Sequence, residues 1–227
     1  RYLLSRLKDE LHSQGMSPAK IESELTHFFD HTLIEESHTH YTHFIKSCVR
    51  EWEGELVWAH LGFESSQVHH LKLALYHGSH EEVVQNIEEI AKPFFHQMEE
   101  IKPDMITVIQ DPEASAPKTH YRCLLAVREA VKQYLEKYPQ SELKVLTYRN
   151  VWTRFPISES NIIIPASLND LAAQEKMFEN CFVSQFVAQY PSPGHDGSFA
   201  ELASKVWMQQ YGQVKEIIPR NYLSNHP

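Results

Sequence analysis

The sequence contains few cysteines, and they follow no recognisable pattern. Its three cysteines, Cys48, Cys123 and Cys181, are odd in number and widely spaced, and no two form a Cys-x-x-Cys pair. Disulfide frameworks and thiolate zinc sites both need paired or closely spaced cysteines. We therefore expect neither of them, and we expect a reducing, cytoplasmic environment.

Long apolar segments and basic clusters are also missing. The longest apolar stretches, such as Met105–Ile109, are far shorter than the roughly 20 residues of a membrane-spanning helix, so we expect no membrane span. The net charge is −9 and no run is rich in Lys or Arg, which argues against a nucleic-acid partner, because such binding depends on clustered cations. No secretory signal follows Arg1, and without an initiator Met we expect further sequence upstream.

Apolar residues at helical spacing predict helices along most of the chain. The predicted helices cover residues 2–12, 18–29, about 44–62, 79–91, 119–138, 167–180 and 199–211. The clearest beginnings are Pro18, because proline suits the first helical position, and Ser167, a typical N-cap residue. Pro93 is expected to break or kink the helix that begins at Ser79.

Four short segments predict strands, namely 68–73, Met105–Ile109, 143–148 and 161–164. Strands that alternate with helices of this length indicate βαβ units. We therefore predict a three-layer, Rossmann-like, mostly parallel α/β sheet with helices on both faces. Residues 1–43 are predicted to form a helical insertion packed on an α/β region, 44–227, within a single domain. Ligands bind beyond the carboxyl ends of parallel strands, which places segment 111–120 at a candidate site.

Several short segments, taken in order, resemble the LmbE/PIG-L deacetylases. They are 67–76, 102–109, Asp111-Pro112 followed by Thr119-His120, 148–152, and Ser184-Gln185. The variety that they resemble most is the deacetylase-like domain fused behind a glucosamine-6-phosphate deaminase domain in some bacterial proteins. The resemblance covers about residues 44–211. It implies a zinc-dependent hydrolase that removes an acetyl group from an amino sugar.

The chain departs from that family at most of its polar positions. The family's His-Pro-Asp-Asp run, which implies two metal ligands and the general base, is absent here. Pro117 replaces a His that steadies the oxyanion, Lys72 replaces an Asp, and Phe182 replaces the His before Ser-Gln. The Arg that precedes a helical Glu by three residues becomes Trp52, although Glu55 remains. Without the ligands a zinc ion has no means of activating a water molecule.

The resemblance assigns roles to the residues that remain. His120 matches the third metal ligand, or is a residue at the start of a helix whose hydrogen bonds the preceding loop satisfies. Asp111 is either the partner that orients His120 or the opener of an ordinary Asp-Pro turn. The residues assigned to substrate binding are Asp111, Tyr148, Arg149, Trp152, Ser184 and Gln185. Of these, Tyr148, Arg149 and Trp152 either line a sugar or phosphate pocket or have a structural role. A separate group, His38, His40 and His43, is either a metal site or a solvated helix start.

Three functional hypotheses remain open. The leading one is a deacetylase-like pseudoenzyme of amino-sugar metabolism, which we expect to bind no cofactor in this chain. We expect its ligand to be an amino sugar or a sugar phosphate. We also expect a fused or partner amino-sugar phosphate enzyme and self-association into a homo-oligomer. The second is an active zinc-dependent N-acetylglucosamine-type deacetylase that is completed by an upstream His-Pro-Asp-Asp segment. The third is the C-terminal part of a glucosamine-6-phosphate deaminase or isomerase.

Overall fold

The computed structural model describes residues 2–31, 40–73, 75, 80–111, 118–149, 154–185 and 197–219. The chain divides into two compact units. The first consists of Arg1–His70 and Ser167–Ala200, and the second of Leu71–Ala166 and Glu201–Pro227. Each unit therefore combines a long segment with a second piece from later in the chain.

Eight α-helices and two β-strands make up the regular structure of the described residues. The elements are α1 (Tyr2–Ser13), α2 (Pro18–His31), α3 (His40–His60), α4 (His80–Gln85), α5 (Ile87–Ile101), β1 (Met105–Ile109), α6 (Lys118–Lys137), β2 (Lys144–Tyr148), α7 (Leu168–Cys181) and α8 (Phe199–Ile217). None of these helices is long and apolar enough to cross a lipid bilayer.

The core of the first unit lies among its first three helices. Its buried members are Leu7, Leu11, Met16, Ile21, Leu25, Ile45 and Cys48. Those within helices recur every three or four residues, which places them on one face, and Met16 lies in the turn between α1 and α2. A fully buried leucine contributes roughly 1.5–3 kcal/mol. Gly15 makes the turn between α1 and α2 at a φ of +80°, a conformation that strains other residues.

The core of the second unit lies between α5 and α6. Ala91 and Met98 of α5 pack with Ala130 and Tyr134 of α6, and all four side chains are buried. The alanines allow the two helices to approach closely, because a methyl group fills little of the space between them.

A parallel pair of strands stands beside these helices in the second unit. β1 and β2 pair in parallel, so that Met105 lies opposite Lys144 and Ile109 opposite Tyr148. The amide of Gln110 extends the pairing by donating to the carbonyl of Tyr148 at 2.7 Å. Both strands therefore end at the same edge, and α6 connects them as the helix of a βαβ unit.

The predicted three-layer Rossmann-like sheet is wrong. The described residues are mostly helical, and the parallel pair β1 and β2 is their whole sheet. Segment 68–73, predicted as a strand, is irregular, and so is 161–164, where Ile162, Ile163 and Ile164 remain 59%, 49% and 79% exposed. Apolar β-branched runs become strands only where a neighbour pairs with them, and these two segments have no such neighbour among the described residues.

The helix predictions held better, with two corrections. The break predicted at Pro93 occurs at Asn86 instead, and α5 continues through Pro93 to a left-handed end at Lys102. The last helix extends to Ile217 rather than ending at Tyr211. The N-cap predicted at Ser167 is confirmed, because its hydroxyl accepts a hydrogen bond from the amide of Asp170. The origin of residues 1–43 as an insertion stays a prediction.

Candidate functional site

A histidine and a buried aspartate meet where β1 ends and α6 begins. Asp111 follows β1 by two residues and is 1% exposed. His120 lies in the first turn of α6, and its Nδ1 is 2.7 Å from Oδ2 of Asp111. Because an ionised carboxylate can only accept, Nδ1 donates this hydrogen bond. The pairing is one of the two arrangements that the sequence left open for Asp111.

Tyr148 reaches the same edge of the sheet from β2. Tyr148 is 53% exposed, and the partial burial of its phenol raises the pKa above the usual range, with further contributions from the negative charge of Asp111 and from Cys123. The phenol therefore remains protonated at neutral pH and can donate a hydrogen bond. The site thus contains an oriented imidazole, a buried carboxylate and a phenol.

Cys123 lies one helical turn after His120 on α6, on the same side of the helix. Burial raises the pKa of its thiol. Cysteines act as nucleophiles through the thiolate, so a raised pKa disfavours that role. The raised pKa therefore disfavours a nucleophilic role for Cys123 beside His120 and Asp111.

Two arginines flank the site in sequence. Arg122, which is buried on α6, donates from Nη1 to the carbonyl of Leu75 at 2.8 Å and so ties that residue to the helix. The guanidinium of Arg149 lies over the ring of Phe155 at 4.5 Å from its centroid. Its Nε is buried and makes no hydrogen bond with any residue that the structure describes.

A second polar group belongs to the first unit. Glu53 of α3 is completely buried, and its carboxylate accepts hydrogen bonds from the amide of Ser184 at 2.6 Å and from its hydroxyl at 2.9 Å. Arg50 lies 3.6 Å from the same carboxylate. Both donors of Ser184 are engaged with Glu53, so the hydroxyl predicted to bind substrate has a partner within the protein.

Glu53 was missed in the sequence. Trp52 and Glu55 were aligned with the family's Arg and Glu, yet Arg50 and Glu53 have the same Arg-x-x-Glu spacing. That spacing is the signal that would have found them. Glu55 instead accepts hydrogen bonds from Arg6 of α1 at 2.8 and 2.9 Å.

Some predicted site residues are not placed. Trp152 and His38 lie outside the described residues. His40 and His43 belong to α3, and Gln185 ends a short 3-10 helix, but their side chains are not described. Of the predicted site residues, the second unit thus brings three to one edge of its sheet: Asp111, His120 and Tyr148.

A zinc ion needs at least three protein ligands to form a catalytic centre. Across the part of the chain that the structure describes, no three His, Cys, Asp or Glu side chains are grouped to hold a metal ion. Asp111 engages Nδ1 of His120, which leaves one ring nitrogen as a ligand. The described residues therefore do not fit a resident zinc.

Comparison with known proteins adds no assignment. The chain matches no protein-family model, no curated protein and no solved structure.

Proposed function

We propose that this chain is a deacetylase-like domain, similar to LmbE/PIG-L proteins, that binds an amino-sugar phosphate without hydrolysing it. The observation that carries the proposal is the Asp111–His120 pair at the carboxyl edge of two parallel strands. Ligands of open parallel sheets bind at that edge. Clusters of partly buried titratable groups are characteristic of functional sites.

The chemistry of the edge suits a sugar phosphate. The imidazole of His120 retains 37% of its side-chain exposure, and Tyr148 supplies a protonated phenol. Both groups form hydrogen bonds with hydroxyl or amine substituents. Arg149 has a delocalised charge and a fork of donors that matches a phosphate group.

Ser184, which the resemblance assigns to substrate binding, is fixed in place by Glu53. The carboxylate of Glu53 accepts hydrogen bonds from both the amide and the hydroxyl of Ser184. This contact joins residues 131 positions apart, so local structure does not explain it.

Loss of hydrolysis follows from the chemistry that remains. Amide hydrolysis by these enzymes needs a metal-activated water and a carboxylate base. His120 has no companion ligands among the described residues, and Asp111 is already its hydrogen-bond partner. A cytoplasmic setting accompanies the proposal, since Cys48, Cys123 and Cys181 form no disulfide bonds.

Metal content and acetate release test this proposal together. The purified chain is incubated with zinc, desalted and analysed for metal, and is then supplied with N-acetylglucosamine 6-phosphate. We expect less than one zinc per chain and no acetate. His96→Ala is the matched control for His120→Ala, because His96 is an exposed histidine whose nearest carboxylate oxygen, on Glu99, is 3.9 Å away. Stoichiometric zinc that only His120→Ala removes, together with acetate release, would refute the proposal.

The active zinc deacetylase is the second candidate, and one observation favours it. A carboxylate that accepts from one ring nitrogen of a histidine is the usual support of a zinc-ligating imidazole. In this candidate an upstream His-Pro-Asp-Asp segment would supply the other ligands. Acetate release by a longer protein that carries the upstream segment, but not by this chain, distinguishes the two candidates.

A further inference from the structure

An arginine at the carboxyl end of β2 has no hydrogen-bond or ion-pair partner among the described residues. Arg149 directly follows β2, and its Nε is buried without an acceptor. By contrast, Arg6 and Arg50 both lie beside carboxylates of α3. The chain has 30 acidic residues against 21 lysines and arginines, so carboxylates are not in short supply. A donor buried without an acceptor destabilises the folded chain, and a bound anion would remove that cost.

Phe155 holds the guanidinium of Arg149 in place. The guanidinium carbon lies over the phenyl ring, 4.5 Å from its centroid. A phenyl ring has no conventional hydrogen-bond acceptor, so this contact leaves the N–H donors available. It also restricts a flexible side chain before a ligand arrives, which lowers the entropic cost of binding.

The donors of such a guanidinium suit a phosphate group. Two N–H bonds in one plane meet two oxygens of a phosphate or carboxylate at once. A phosphate monoester carries up to two negative charges at neutral pH and a carboxylate carries one, so the cation attracts the phosphate more strongly. Arg149 also lies at the strand end where ligands of parallel sheets bind.

We infer that Arg149, held by Phe155, is the phosphate-binding group of this chain and selects phosphorylated sugars over neutral ones. The sugar part of this inference rests on the proposed function. Binding of a phosphate group by Arg149 does not, so inorganic phosphate alone should occupy the site.

Inorganic phosphate is therefore the first probe, titrated into the nitrogen-labelled chain at about pH 7 and followed by NMR of the arginine Nε–H groups. The signal of Arg149 is assigned by its loss in Arg149→Lys. We expect phosphate to displace this signal and acetate to displace it several-fold less at equal concentration. A signal that phosphate leaves in place, or that acetate moves equally, overturns the inference.

Sugar affinity is measured next by calorimetry, with glucosamine 6-phosphate and glucosamine as probes. We expect the phosphorylated sugar to bind at least about tenfold more tightly, and Arg149→Gln to remove that difference. Arg149→Lys retains the charge but not the paired donors, so it should also weaken binding. Arg128→Gln is the matched control, because Arg128 is an exposed arginine of α6, and it should leave binding unchanged.

Circular dichroism first establishes that each variant is folded. Phe155→Leu keeps Arg149 and an apolar neighbour but removes the ring, and should weaken binding of glucosamine 6-phosphate by several-fold. This variant decides the matter where the Arg149 variants do not fold. Parent-like affinity in a folded Phe155→Leu protein would then contradict the inference.

The outcomes separate the two proposals. Equal affinity for both sugars, or parent-like affinity in a folded Arg149→Gln protein, overturns phosphate recognition by Arg149 while sugar binding stands. Phosphate that displaces the Arg149 signal while neither sugar binds refutes the proposed function and leaves the phosphate site. Failure of phosphate and of both sugars to bind refutes both proposals.

Discussion

Glu53 provides the sharpest test of how the first unit is held together. Its side chain is completely buried, and it accepts two hydrogen bonds from Ser184. A hydrogen bond to a charged group contributes about 1.5–3 kcal/mol. Ser184 is itself exposed, so water can replace part of what is lost, and the lower end of that range applies. Glu53→Ala should therefore lower the free energy of unfolding by about 3 kcal/mol.

Two further variants separate the contributions of the individual hydrogen bonds to this loss of stability. Glu53→Gln retains the volume and one acceptor oxygen, and should cost about 1.5 kcal/mol. Ser184→Ala removes only the hydroxyl bond and should cost about 1 kcal/mol. Because both variants disrupt the same contact, their effects should not add, and a double-mutant cycle should give a coupling of about 1 kcal/mol.

The assay is urea unfolding followed by circular dichroism, with the midpoint and slope fitted separately for each variant. Glu22→Ala is the matched control, because Glu22 is an exposed glutamate of α2 in the same unit. A Glu53→Ala protein within about 0.5 kcal/mol of the parent would refute the reasoning, since surface substitutions have effects of that size.

Three other predictions concern packing, capping and pH. Ala130→Leu should destabilise the second unit by about 1–3 kcal/mol, because Ala130 is completely buried between α5 and α6 and the larger side chain does not fit. Thermal unfolding measures this, and an unchanged unfolding midpoint would contradict the packing described. Ser167→Ala should cost about 1 kcal/mol through loss of the N-cap, whereas equal stability in urea would mean that the cap contributes nothing. The hydrogen bond from Lys137 holds the pKa of Glu99 below its ordinary value of 4.5. The ionised Glu99 carboxylate therefore stabilises the folded chain above pH 4.5, and this stabilisation is lost as the pH falls through the lowered pKa. Glu99→Gln should flatten the acid side of the stability profile, and an unaltered profile would oppose this account.

Local signals in the sequence predicted those parts of the fold that depend on neighbouring residues. Ser167 begins α7 through a hydrogen bond to Asp170, three residues away, and Pro18 begins α2. β1 was predicted from an apolar run ended by Asp-Pro. Capping, helical periodicity and turn residues operate within a few positions, so they can be read from the chain directly.

The sheet could not be predicted in the same way. Ile162, Ile163 and Ile164 have the composition of a buried strand, yet they are 49–79% exposed and unpaired among the described residues. Whether such a run forms a strand depends on a partner elsewhere in the chain, which β-propensity does not supply. The error in fold class followed from treating each run as a strand.

The contacts of the candidate site also differ in whether local sequence predicts them. Asp111 and His120 are nine residues apart across one connection, and their pairing was among the alternatives in the sequence. Glu53 and Ser184 are 131 residues apart, and only the folded chain brings them together. Glu53 and Glu55 lie on different faces of α3, because residues two apart on a helix do not share a side, so the sequence alone does not tell which carboxylate meets Ser184.

Binding of glucosamine 6-phosphate to the chelator-treated chain, measured by calorimetry, tests the central claim most directly. We predict saturable binding at one site without zinc, weakened at least about tenfold by His120→Ala and unchanged by His96→Ala. Binding that requires zinc, or that His120→Ala leaves unaltered, would contradict the claim that the Asp111–His120 pair is a metal-free ligand site.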